Sequence, residues 1–96
     1  MKLGKAIVKL RELHGLKQVE LADKAGISAT ALSQIETDKA KPSDKTLKDI
    51  AAVFNKDAAF IILLSIDPEK DMNEEDGAMF KHLFPGFHDK LLSTIG

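Results

Sequence analysis

The stretch QVELADKAGISATALSQIET, residues 18–37, sets two helical patterns around a connection of only four residues, Lys24-Ala25-Gly26-Ile27. A connection that short obliges the two helices to cross at close range. The residue types fit that demand. Ala22 is small where the crossing falls, Gly26 gives the turn access to positive φ, and Ile27 is apolar and able to drop into a core. Leu32 and Ile35 fasten the second helix on one side only. Its other side is Ala29, Thr30, Ser33 and Gln34, which are short, uncharged and good at hydrogen bonding. A solvated helix face ordinarily carries Lys and Glu, so this one is shaped for contact.

The flanking residues read as further helices. Leu3, Ile7, Leu10 and Leu13 recur at helical spacing up to Gly15, a left-handed stop onto which Leu16 folds back. Ser28 is placed to cap the helix that runs to about Thr37, and Pro42 prevents that helix from continuing. Ser43 caps a fourth helix with a core face of Leu47, Ile50, Ala51 and Phe54, closed by Asn55. Asp57 is placed to cap a fifth segment, residues 58–65. Its β-branched run leaves strand open on periodicity alone, and the N-cap position and the helical neighbours favour helix. The tail opens with acidic PEKDMNEEDG. It continues as two short amphipathic helices carrying Met79, Phe80, Leu83 and Phe84, then Phe87, Leu91, Leu92 and Ile95, on either side of Pro85-Gly86. Helices that short need a packing partner.

At 96 residues the chain is one domain with a short appendage. The absence of Cys removes disulfides, cysteine metal sites and thiol chemistry. MKLGKAIVKL lacks the pattern of a signal peptide, and the longest apolar run, residues 58–64, is far too short to span a bilayer. A cytoplasmic protein with no membrane contact is expected. The net charge of −1 hides an asymmetry: residues 1–56 carry eleven cations against seven acids, and residues 57–96 carry three against eight. The first part is fit to meet a polyanion and the second to avoid one.

A helix lying in the DNA major groove would answer the charge-free face. Long side chains there would be crowded, and acids would be repelled by phosphate. Gln pairs bidentately with adenine, Ser and Thr with several bases, and the Ala and Thr methyls pack on the thymine methyl. The expected base contacts are therefore Ala29, Thr30, Ser33 and Gln34, with Gln34 foremost. Phosphate contacts are expected to flank them. Gln18 stands at a helix N-terminus with Lys17 beside it, Ser28 opens the groove helix, and Lys39, Lys41 and Ser43 follow it.

LRELHGLKQVELADKAGIS, LSQIE and KPSDKTLKDIAAVF together resemble the phage repressor/Cro-type helix-turn-helix domain, also called the xenobiotic-response-element family, across residues 3 to about 65. The shared pattern is a Gln opening the second helix, Leu-Ala within it, Gly in the turn, Ser-x-Ile-Glu ending the third helix and Pro-Ser before the fourth. The resemblance implies an all-α, five-helix repressor-like bundle that binds double-stranded DNA, generally as a dimer. It also implies a structural pair between Arg11 and Glu36 that orients the recognition helix. The family's usual Asn-Gly after that Glu is Thr37-Asp38 here. Asp38 must therefore take a less comfortable backbone conformation and bring negative charge near the DNA. FIILLSIDPEKDMNEEDGAMFKHLF resembles, more loosely, a tail of some small regulators of this family, which suggests self-association.

Residues 1–66 are thus expected to bind DNA, and residues 67–96 to form an acidic linker and helical extension that dimerises. The dimer contacts are expected from Phe60, Ile61, Leu63, Leu64, Phe80, Leu83, Phe84, Leu91 and Leu92. The expected function is a sequence-specific transcriptional regulator, a repressor binding a roughly palindromic operator as a homodimer. The alternative is an antitoxin or adaptor whose tail grips a partner protein, with DNA binding autoregulatory. Neither cofactor nor metal is expected. DPEKDM has Met72 where a calcium loop needs Gly, and His82, His88 and Asp89 straddle Pro85-Gly86 without ligand spacing. No spacing of Ser, His and Asp supports catalysis, so an enzyme is not expected.

Overall fold

Four helices of this chain end on the same pair of hydrogen bonds, and those ends set the turns that place the rest. The computed structural model describes residues 2–93. Its helices are α1 (Gly4–Leu13), α2 (Gln18–Ala25), α3 (Ala29–Glu36), α4 (Asp44–Val53), α5 (Ala58–Leu64), α6 (Glu74–Leu83) and α7 (Phe87–Leu92). After α1, Gly15 N–H bonds Glu12 C=O and Leu16 N–H bonds Arg11 C=O. This is the Schellman closure, in which a left-handed residue follows the helix. The same pattern closes α2 at Gly26, α3 at Asp38 and α4 at Asn55. Gly accepts positive φ at no steric cost, whereas Asp38 (φ 59°) and Asn55 (φ 56°) take it against their Cβ atoms.

Residues 2–65, holding α1–α5, form one unit, and residues 66–93 fall in a second. In the first unit α2 packs on α3 and α4, and α5 packs on α4 and α1. Its fully buried large side chains are Ile7, Leu10, Leu21, Leu32, Ile50 and Ile61. The apolar run after Asp57 is helix, with Ile61 and Leu64 buried one turn apart. Asp57 stands at the N-cap of α5 but makes no side-chain capping bond, so the start of α5 owes less to that residue than its position suggests. The chain as a whole carries seven helices among the described residues, not five, because the extension contributes α6 and α7.

Two expectations about apolar residues need correction. Leu13 shares its spacing with Ile7 and Leu10, yet it is 55% exposed, because α1 ends there and the chain turns back through Gly15. Ile61 and Leu64, expected at a dimer contact, are buried within the chain itself and have no surface to offer a partner. Of the other α5 positions, Phe60 is half-buried with the Lys56 ammonium over its ring, and Ile62 and Leu63 are exposed.

The second unit holds α6 and α7, joined through Pro85 and Gly86. Asp67 N–H donates to the Asp71 carboxylate, which lowers the Asp71 pKa, and Asp67 in turn accepts from Glu69 N–H. These bonds close the turn that precedes α6. Asn73 caps α6 by accepting from Asp76 N–H. A Cβ at Gly77 would stand 2.5 Å from the Pro68 carbonyl oxygen, so α6 lies against the turn only because position 77 has no side chain. Phe80, Phe84 and Phe87 stack with ring centroids 5.0–6.3 Å apart. The His88 ring is bonded to the Ile66 carbonyl. Leu91 and Leu92 are half-buried, and Ile95 lies outside the described residues.

Gly4 makes the closest approach of the three glycines in the first unit. A Cβ there would lie 2.4 Å from the Glu36 carbonyl oxygen and 2.9 Å from that of Ile35. Gly4→Ala would gain about 1 kcal/mol of helix propensity. It would force α1 off the end of α3 at a larger cost, typically about 1–3 kcal/mol for overpacking. The expected outcome is a net loss of stability, read as a lower urea midpoint with an unchanged m-value.

Candidate nucleic-acid interface

Helix α3 is held by Leu32 and Ile35, 0% and 6% exposed, against the rest of the first unit. Ser28 starts it by accepting from Ala31 N–H at 3.0 Å. On the outward side Thr30 and Gln34 are exposed and Ala29 and Ser33 half-buried. These four, with Gln18, Thr37 and Lys39, line one shallow open depression. The four expected base-reading residues are therefore neighbours on one surface, with Gln18 from α2 and Lys39 from the following turn at its margin.

The charge-free character of this surface depends on where α3 puts its single acid. Glu36 is 8% exposed, and its carboxylate is consumed by three donors. Arg11 Nε and Nη2 reach Oε2 and Oε1 at 2.8 and 3.2 Å, and Gln18 Nε2 reaches Oε1 at 2.8 Å. Arg11 also donates to the Leu16 carbonyl at 3.1 Å, so one guanidinium ties α3 to the closure of α1. No buried side-chain polar atom among the described residues lacks a partner. Because an ionised carboxylate only accepts, the Gln18 amide must turn its NH2 toward Glu36. That leaves one Gln18 N–H and the amide carbonyl for anything outside.

The expected phosphate contacts differ in what they have available. Lys17, Lys39 and Lys41 are exposed. Glu20 accepts the Lys17 N–H at 2.9 Å, so the start of α2 already has one carboxylate at its positive end. Ser28 uses its oxygen as a cap and keeps its proton. Ser43 is a weaker candidate than its position suggests. It accepts from Thr46 N–H and donates its own proton to Thr46 Oγ1, so a phosphate would have to break a bond within α4.

Three features escape a reading along the chain. Asp38 is exposed but is not idle: its Oδ1 accepts the Gly4 N–H at 3.0 Å, at the start of a helix whose own N-cap residue, Leu3, has no capping side chain. The positive φ at Asp38 is thereby offset by a charge-assisted bond to a helix N-terminus. Thr37, which also lines the depression, donates its hydroxyl to the Ser33 carbonyl at 2.9 Å. The Gln18–Glu36 bond joins residues 18 apart in sequence. For the Asp38 contact the available hint was Gly4, a glycine in the first turn of an otherwise regular amphipathic helix, which marks a close backbone approach.

A family model described as helix-turn-helix matches residues 7–61, more than half of the chain. Two proteins of Bacillus phage phi105 are similar to it. The "ImmF control region 10 kDa protein" is 46% identical over 56 residues, 58% of this chain and 62% of that protein. The "Immunity repressor protein" is 36% identical over 62 residues, 65% of this chain and 43% of that protein. The chain thus spans less than two thirds of the length of either relative.

The three donors on Glu36 should rank by charge and burial. Glu36→Gln leaves the Arg11 guanidinium, with 16% of its side chain exposed, without a counter-charge. The expected cost is about 2–4 kcal/mol. Gln18→Ala removes one bond from a carboxylate that keeps its other donors, at about 1 kcal/mol. Urea denaturation of both variants checks the order, and an equal loss would mean that the ion pair is not the dominant bond.

Proposed function

The chain belongs to the helix-turn-helix family of the Cro/C1 type, and on that premise we propose that it is a sequence-specific transcriptional regulator of double-stranded DNA. It acts as a repressor, as a cytoplasmic homodimer on a roughly palindromic operator. The observation that carries this reading is the depression along α3, lined by uncharged side chains apart from Lys39, with the single acid of α3 drawn into bonds with Arg11 and Gln18. In the major groove Gln34 pairs with an adenine edge, Thr30 and Ser33 meet neighbouring bases, and Ala29 packs on a thymine methyl. Lys17, Gln18, Ser28, Lys39 and Lys41 hold the backbone and set the register. Repression is the sense carried by the name of the phage immunity repressor.

In this reading residues 1–66 bind DNA and residues 67–96 supply the dimer contact, assisted by Phe60 and Leu63 of α5. The exposed Leu83 and Phe84, with Phe80, Leu91 and Leu92 half-buried, are the extension's apolar contribution. Two recognition helices would then enter successive major-groove faces about 34 Å apart. The charge asymmetry fits, since the residues that would meet the polyanion carry the excess of cations. Among the described residues no helix is long and apolar enough to cross a membrane. The exposed apolar residues of α6 equally favour a second reading, an antitoxin or adaptor that holds another protein. Co-purification from native cells separates the two, because a stoichiometric second protein is expected only there.

Selection of bound duplexes from a random pool should return one preferred site with two-fold symmetry, and recovery of random sequence would sink the assignment. Gln34→Ala should lose about 1–3 kcal/mol of discrimination at one base position in each half-site and keep weak general binding. Lys39→Ala should weaken all sequences alike and lower the salt slope by about 1.

A further inference from the structure

We propose that the outer face of α6 recognises a second copy of this chain, whose own α6 lies against it in antiparallel orientation. This rests on the homodimer reading above and specifies one place where the two copies meet.

The inner face of α6 is spoken for within the second unit, through Gly77 against the Pro68 carbonyl and Phe80 among the stacked phenylalanines. The opposite face presents Glu75, Ala78, Met79 and His82, all exposed and spaced i, i+3, i+4 and i+7 so that they form one stripe. Met79 is 57% exposed and Leu83, at the stripe's edge, 61%. A two-fold axis passing between positions 78 and 79 sets each Met79 over the small Ala78 of the other copy, a large side chain into the gap left by a small one. The same axis sets Glu75 opposite His82.

Charge selects this orientation. The first turn of α6 holds Glu74, Glu75 and Asp76, and its last turn holds Lys81 and His82. A parallel pairing would stack acid on acid, while the antiparallel one lays each acidic end along a basic end, and symmetry gives every contact twice. Lys81 is already paired with Glu69, so His82 is the group at that end left to meet Glu75, donating a ring N–H to its carboxylate. A stripe of this size falls short of the roughly 1,000 Å² that a free-standing dimer buries. The contact therefore strengthens a homodimer rather than building one alone.

The native chain contains no cysteine, so a single introduced thiol reports the contact directly. Met79→Cys in the full chain should form a disulfide-linked dimer under mild oxidation, because residues beside the axis come within the Cα separation a disulfide tolerates. Lys90→Cys, an exposed position on α7, should not. In sedimentation, Glu75→Lys and His82→Glu should each raise the dimer dissociation constant roughly tenfold at low salt. The double variant Glu75→Lys/His82→Glu should restore it to near the native value. Equal cross-linking of Met79→Cys and Lys90→Cys, or a double variant no better than the singles, would overturn the proposal. Either result would leave the regulator reading standing if the native chain still selected a symmetric site, and that reading falls separately if no site is selected.

Discussion

The carboxylate of Glu36 is the point on which the first unit turns. It lies at the end of α3, where an exposed acid would oppose any polyanion brought to that helix. Arg11 from α1 and Gln18 from α2 draw it inward, so one side chain joins three helices. Burying a charge is costly unless it is paired and hydrogen-bonded, and here three charge-assisted bonds reach both carboxylate oxygens. The same arrangement that keeps the α3 surface free of charge fixes its position on the body. Stability and surface chemistry therefore depend on the same atoms.

The turn after α3 shows how local strain and tertiary contact balance. Asp38 occupies the left-handed position of a Schellman closure that Gly fills after α1 and α2. An Asp there loses steric comfort of order 1 kcal/mol. Its carboxylate recovers an interaction by bonding the Gly4 N–H, where α1 has neither an acid in its first turn nor a capping side chain of its own. Gly4 makes this reachable, since any larger residue would hold α1 away from the Glu36 and Ile35 carbonyls. The bond to Gly4 fixes the turn that carries Thr37 and Lys39 to the edge of the depression.

Much of this was legible along the chain. Ser28 and Ser43 announced helix starts, Gly15, Gly26 and Asn55 announced stops, and Leu32 with Ile35 fixed which side of α3 faces inward. These are local signals, each read within about one helical turn. The errors fell where a residue's fate depends on a distant segment. Leu13 has the spacing of a core residue, but the helix ends before anything covers it. Ile61 and Leu64 look like surplus apolar surface until α1 and α4 are seen to cover them. Periodicity left residues 58–64 open to strand, and the helix favoured by their neighbours is the one that packs on α1 and α4.

Sequence by itself determined the order of helices, their caps and closures, and the neutral, low-profile face of α3. All of these follow from backbone preferences and side-chain size within a few residues. Tertiary structure alone decided which way Asp38 points, how the Gln18 amide is turned, and which α5 residues belong to the core. The first two depend on groups 34 and 18 positions apart meeting at hydrogen-bond distance, and the third on the packing of α5 against α4 and α1. Local propensity carries no information about such meetings, because the partner that settles them lies beyond any local window.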